Sequence, residues 1–405
     1  MSLDQLTASQ GQKIIDELRK GIPPHGYVEE FTIGRKQQIK LLEDHLDEDS
    51  IAFALLLQAN YGSGKTHLLQ LINEKALKKD YLVSSVVLDA KSGVRFNRLD
   101  LVFGAIMRGL ETALDDHTET GNLETILNFF AKTAETAVDD PNHLGHGFWR
   151  ELSNDGKWDF SETLSSPPLY VAIRAWVKCK EDSVRNLILD WLRFPVNYAN
   201  RRKDLYWKLV GDQRRHFRDI RPECQFYQDG IFSFESSGYA NCWAALEGFQ
   251  QMAIHSGLPG VAVLFDEFED VLTNLNNITW QRKAFFNLLR FVSGKQFTGK
   301  TFYAVTPAFP EKCKQVLLEK GVYDFDYSQF DKLPTFEMSP LGGPDMQKLA
   351  EKITGVHERA YVHKLSPRDR EEVIAAAGRA GFRTVEDRTR QAIKDCVQSL
   401  DRFLD

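Results

Sequence analysis

Residues 51–69, IAFALLLQANYGSGKTHLL, constrain this chain more than any other stretch. An apolar run from Ile51 to Leu57 enters a glycine-rich turn ending in Gly64-Lys65-Thr66, where an amphipathic helix opens. A buried strand, a tight turn and a helix in that order set backbone N–H groups and the positive end of a helix dipole at the edge of a sheet. The N–H groups of Gly62, Ser63, Gly64 and Lys65 are placed to wrap a β-phosphate. Lys65 is placed to reach the β- and γ-phosphates, and the Thr66 hydroxyl to ligate Mg²⁺. His67, next along the helix, is grouped with them as nucleotide-binding. Ala59 stands where the usual spacing has a first glycine, a change that an L residue tolerates at negative φ.

A second motif supports the first. Val261-Ala262-Val263-Leu264-Phe265-Asp266-Glu267 reads as a fully buried parallel strand ending in two carboxylates. In a P-loop ATPase the first carboxylate holds Mg²⁺ through its water shell and the second polarises the attacking water. Asp266 takes the metal role and Glu267 is the candidate base. An acidic helix cap over Asp-Glu-x-Glu-Asp is the alternative, but the two motifs explain each other. Together they imply ATP and Mg²⁺ as cofactors.

Around these motifs strands alternate with helices. The pattern predicts strands at 51–57, 82–89, 261–265, 301–306 and 335–338. Helices are expected at 8–20, after the P-loop, at 101–114, 123–138, 169–193, 239–256, 278–292 and 308–320, and helices only over 343–405. Alternation of this kind gives an α/β fold with a parallel sheet and ligands at the carboxyl ends of its strands. Lys65 and Asp266 are about 200 positions apart, more than one or two strand–helix units need. The expected organisation is N-terminal helices and an adenine-side segment (1–50), a first core part (51–120), a large helical insertion (121–240), a second core part (241–342) and a C-terminal helical lid (343–405).

The formal charge of −6 does not suit a general polyanion binder, although a local basic patch is compatible with it. Five cysteines without C-x-x-C spacing argue against a zinc site and a disulfide framework. The N-terminus lacks a basic and apolar leader, and no apolar run approaches the roughly 18 residues of a membrane span. A soluble, cytoplasmic protein without membrane association is expected.

Three further segments carry a family resemblance. Phe31-Thr32-Ile33-Gly34-Arg35 resembles the element that borders adenine in origin-recognition-like AAA+ ATPases, which implies nucleotide contacts for Gly34 and Arg35. Thr306, ending TFYAVT, stands where that fold places its γ-phosphate sensor. Arg390, in RQAIKDCVQSLD, resembles the lid arginine that reaches back to nucleotide, with Arg388 as a competitor and a solvated helix face as the alternative. YGSGKTHLL, SGVRFNRLDLVF, HSGLPGVAVLFDEFE and the C-terminal segment together resemble the ATP-binding proteins of BREX phage-defence systems (BrxC/BrxD-like). The resemblance implies an AAA+ P-loop core, ATP hydrolysis, and work as a motor or switch with other defence-system proteins, as a homo- or hetero-oligomer.

From Phe291 to Glu358 the chain has no arginine to serve as a finger toward a neighbour's γ-phosphate; Lys312, Lys314, Lys320 and Lys332 are the nearby cations past the sensor strand. A finger is then expected from Arg290, the insertion or another subunit, or hydrolysis is slow. This keeps open a nucleotide-gated scaffold, and an origin-recognition-like DNA-loading ATPase is a third reading. Arg193 to Arg221 holds nine Lys/Arg against three Asp, with interleaved aromatics. It reads either as a double-stranded DNA contact or as a solvated helical face. His143 and His146 have a spacing that metal ligands sometimes use, without an evident Cys or carboxylate partner. No Ser-His-Asp or Cys-His signature supports a nuclease or protease.

Overall fold

A computed structural model describes residues 3–47, 53–60, 62–113, 120–153, 164–178, 180–198, 208–209, 232, 234–235, 237–273, 275, 277–338, 341–380 and 388–404. Six strands form one sheet in the order β3-β2-β4-β5-β1-β6. They are β1 (Ala54–Gln58), β2 (Leu82–Val87), β3 (Leu110–Glu111), β4 (Val261–Asp266), β5 (Lys300–Val305) and β6 (Thr335–Glu337). All pairings are parallel except β2 with β3. The chain leaves β1, skips two places to form β2, and returns after the insertion to fill the gap with β4 and β5. That return aligns Val87 with Asp266 and Gln58 with Val305, so both motifs end at one edge of the sheet.

Each central strand is apolar on both sides, and the period of two divides it between two cores. Leu56, Val263, Phe265, Tyr303 and Val305 face one core; Leu57, Ala262, Leu264, Phe302 and Ala304 face the other. The insertion's helices (Leu123–Asp139, His146–Ser153, Pro167–Lys178 and Asp182–Arg193) share the first core through Phe130, Trp149, Trp176 and Trp191. They pack on the Leu99–Arg108 and Ala240–His255 helices, which contact β2 and β4.

Local chemistry explains where the elements differ from expectation. The helix expected to run to 114 ends at Arg108. Gly109 follows because a Cβ there would lie 2.8 Å from the Ser85 carbonyl, and this close approach lets β3 pair with β2. The 169–193 stretch is two helices, broken where Glu181 takes an extended conformation (φ −72°, ψ 119°). Between the helices expected at 123–138 and 169–193, Phe148, Trp149 and Leu152 supply the buried face of a further short helix.

A third core joins the two ends of the chain. Ile14, Ile15 and Leu18 of the Ala8–Lys20 helix pack with Met346, Leu349, Ile353, Val397 and Leu400 of the C-terminal helices. Gly11 permits this contact, since a Cβ there would meet the Ala360 Cβ at 3.0 Å. Arg19 reinforces it by donating to both carboxylate oxygens of Asp401 (3.0 and 2.9 Å) and to the Tyr361 hydroxyl (3.1 Å). The Lys36–Asp47 helix packs instead on the sheet through Leu42 and Leu46. Among the described residues, no helix is long and apolar enough to cross a membrane.

Candidate nucleotide-binding site

At the carboxyl edge of the sheet the chain turns from β1 into the Lys65–Lys78 helix. Gly62 (φ 69°) and Gly64 (φ 92°) take left-handed conformations that a side chain would oppose. The Ser63 N–H turns back onto the Asn60 carbonyl (3.2 Å), tightening the loop. Lys65 is buried and curls under this turn. Its ammonium donates to the Ala59 carbonyl (3.3 Å) and to Glu269 Oε1 (2.9 Å). Beside it the Thr66 hydroxyl donates to Asp266 Oδ2 at 2.9 Å. Two residues 200 positions apart, both expected from the motifs to be metal ligands, thus meet in a hydrogen bond.

Glu267 continues the chain with φ 54°, a left-handed conformation unusual for glutamate. Partial burial raises its pKa, and the neighbouring carboxylates of Asp266 and Glu269 raise it further while Lys65 opposes them. A carboxyl shifted upward is better matched to accepting a proton from water near neutral pH. Thr306 follows β5, next to β1, where the Ala59 N–H donates to the Val305 carbonyl (3.0 Å). The Thr306 hydroxyl is buried without a hydrogen-bond partner, as suits a group that awaits an acceptor.

These residues open into a cavity of about 360 Å³. Gly62, Ser63, Gly64, Lys65, Thr66, Asp266 and Glu267 line its polar end, and Arg35, His67 and Arg390 also line it. Its other end is apolar: Leu18, Ile22, Pro23 and Pro24 leave the N-terminal helix, Phe31 and Ile33 enter from the next segment, and Met338, Leu341, Leu349 and Ile393 close it. Gly34 is left-handed (φ 71°), and a Cβ there would lie 2.8 Å from the Asp345 carboxylate. Arg35 donates to the Ser63 carbonyl (3.2 Å), tying this segment to the phosphate turn. Burial lowers the Arg35 pKa, with Asp345 opposing the shift.

His67 lies where the two ends join. The Thr32 hydroxyl donates to the Val28 carbonyl (2.8 Å), so at 2.8 Å from His67 Nε2 it accepts, and Nε2 carries the ring proton. Burial, with Arg35 adding repulsion, lowers the His67 pKa to about 4. The ring is therefore neutral at physiological pH.

Residues 6–156 match the family "BREX system ATP-binding protein BrxC/D". This chain resembles those ATP-binding proteins over that stretch. The match spans more than a third of the chain, from the N-terminal helix through the phosphate turn and into the insertion. Asp266, Glu267, Thr306 and Arg390 lie beyond it. No curated protein and no solved structure matches the chain.

The structure brings together Arg35, Gly62 to His67, Asp266, Glu267 and Arg390 around one cavity, whose lining includes neither Gly34 nor Thr306. Other candidates lie apart from it. Arg290 is over the Trp243 ring (6.0 Å) and does not line the cavity. Lys314 pairs with Asp331 and Glu311, and Lys320 donates to Gln281 (2.9 Å). His143 Nδ1 accepts from the Gly145 N–H (3.0 Å), and His146 Nδ1 meets the Ala137 carbonyl (2.7 Å), so both serve the loop. Among the described residues, no group of three or more His, Cys, Asp or Glu is arranged to hold a metal ion. Most of the basic 193–221 stretch, and the Arg388 side chain, lie outside the described residues. Within that stretch, the Phe194 ring is covered by the Arg108 guanidinium (4.9 Å).

Sequence reading missed two features. Glu269 sits one turn past Asp266, and its acidic neighbours make it look like part of a helix cap. The apolar end of the cavity has no local signal, because its side chains come from three distant segments.

Proposed function

We propose that this protein is an Mg²⁺-dependent AAA+-type ATPase acting as a motor or switch in a multi-protein, DNA-linked BREX-like defence system. The observation that carries the ATPase reading is the Thr66–Asp266 hydrogen bond beside buried Lys65. A hydroxyl and a carboxylate at that spacing suit a hard cation that keeps most of its waters and also takes phosphate oxygens. Bound there, Mg²⁺ supplies neutralisation of charge on the transferring phosphoryl group. Lys65 holds the phosphates, the Gly62–Lys65 turn fixes their position, and Glu267 accepts a proton from the attacking water. The partner-free Thr306 hydroxyl donates to a γ-phosphate oxygen, and Arg390 reaches the same end from the lid.

The site draws on Leu18 to Pro24, Ile33, Leu349 and Ile393, which belong to or border the core joining the chain's two ends. Nucleotide contact on that side is the means by which turnover would reposition the lid for partner proteins. A test is the ATP hydrolysis rate of the purified chain, titrated with double-stranded DNA, with Glu267→Gln as control. DNA-stimulated turnover above the control is the expected result. A rate equal to the control, with and without DNA, would refute the motor reading and leave a nucleotide-gated scaffold.

A further inference from the structure

The third carboxylate of the Asp266–Glu269 run bears directly on the phosphate end. Glu269 is 7% exposed, and its Oε1 takes the Lys65 ammonium at 2.9 Å with both side chains 9% exposed. Its second oxygen, Oε2, is buried without a hydrogen-bond partner. A carboxylate built only to anchor Lys65 would be expected to satisfy both oxygens, since an unmet buried acceptor is costly. The backbone tells the same story. Glu267 takes its left-handed turn (φ 54°) directly between Asp266 and Glu269. That strain lets both flanking carboxylates face the phosphate turn, Asp266 onto Thr66 and Glu269 onto Lys65.

We infer that Glu269 competes with nucleotide phosphates for Lys65 and thereby sets nucleotide affinity. This rests on the ATP-site reading above. The ammonium is the buried cation that the phosphate turn aims at nucleotide, and an anionic partner in contact with it offsets the charge it offers. Phosphate entering the turn takes over donors from Glu269, and the like charge of the displaced carboxylate opposes that entry. Glu269 is thus a determinant of affinity rather than a catalytic residue. It keeps the site from filling at nucleotide concentrations that a bare Lys65 would answer.

The test is calorimetric titration of the full chain with Mg²⁺–ATP and Mg²⁺–ADP, for wild type, Lys65→Ala and Glu269→Gln. Glutamine keeps the shape and one acceptor for Lys65 but removes the charge, so both nucleotides should bind about tenfold more tightly than to wild type. The thermal shift produced by ATP should grow in parallel. Unchanged or weaker binding in Glu269→Gln would overturn the inference. If that variant does not fold, Glu269→Asp, which keeps the charge on a side chain one methylene shorter, takes its place. It should also bind more tightly than wild type, and failure to do so overturns the inference equally. Lys65→Ala separates the two levels of argument. Equal binding by wild type and Lys65→Ala would remove the ATP site itself, whereas loss of binding there with no gain at Glu269 would remove only the competition.

Discussion

The two ends of the cavity are built in opposite ways. The phosphate end is polar and fixed by hydrogen bonds between named pairs: Thr66 with Asp266, Lys65 with Glu269, and Arg35 with the Ser63 carbonyl. The opposite end, the proposed base end, is apolar and assembled from the end of the N-terminal helix, the Phe31–Ile33 segment and the C-terminal helices. The first relies on positions that must be right to within a hydrogen bond. The second relies on burial, which is non-directional and tolerates exchange among apolar residues. On the proposed reading, chemistry and the charged part of affinity depend on the first, and the apolar part of affinity and coupling to the C-terminal helices depend on the second.

That contrast can be pressed with substitutions. Glu267→Gln should leave ATP affinity near wild type and lower turnover by about 10²–10⁴-fold, since only the proton acceptor is lost. Single-turnover phosphate release checks this, and a variant that hydrolyses ATP normally would move the base elsewhere. The raised pKa of Glu267 adds a pH signature. Turnover should rise as pH rises through a value above the ordinary carboxylate range, and Glu267→Gln should lose that limb.

The seam between the two ends should show in acid stability. His67 has its pKa lowered from 6.5 to about 4, so the unfolded chain binds the proton first. The stability this represents is fully present above pH 6.5 and is lost as pH falls through that value toward 4, by about 2–3 kcal/mol. His45, buried against the Phe302 ring and also lowered to about 4, adds in the same direction. Denaturant melts across this range should show the loss. His67→Asn should flatten part of it, and a profile identical to wild type would exclude His67 as its source. The smallest effect belongs to the base end. Ile393→Ala should weaken ATP and ADP alike by roughly tenfold, about 1–2 kcal/mol of lost apolar contact, with turnover at saturation nearly unchanged. A fall in saturated turnover instead would erase the division between the two ends.

The legible part of the molecule follows the same line. Lys65, Thr66, Asp266 and Glu267 were grouped from the sequence by residue type and fixed local spacing around strand ends, and the fold brings these four to one cavity. The two-sided apolar strands were legible for a similar reason, since burial on both faces leaves a continuous Val, Leu and Phe run. Leu18, Pro23, Met338 and Leu349 could not be placed at the site, because nothing local distinguishes a side chain facing a cavity from one facing a core. The packing of Ala8–Lys20 onto the C-terminal helices was hidden too, since it depends on Gly11 meeting Ala360 and Arg19 meeting Asp401 across the whole chain. β3 was read as helix because two residues are too few to show a period.

The central claim is that the cavity beside Lys65 binds ATP through its phosphates. Equilibrium titration of Mg²⁺–ATP into wild type and Lys65→Ala, with circular dichroism to show that both are folded, tests it most directly. The account predicts saturable one-site binding to wild type and at least about 100-fold weaker binding to the variant, as befits loss of a buried charged contact. Equal affinity in the two folded proteins would contradict it.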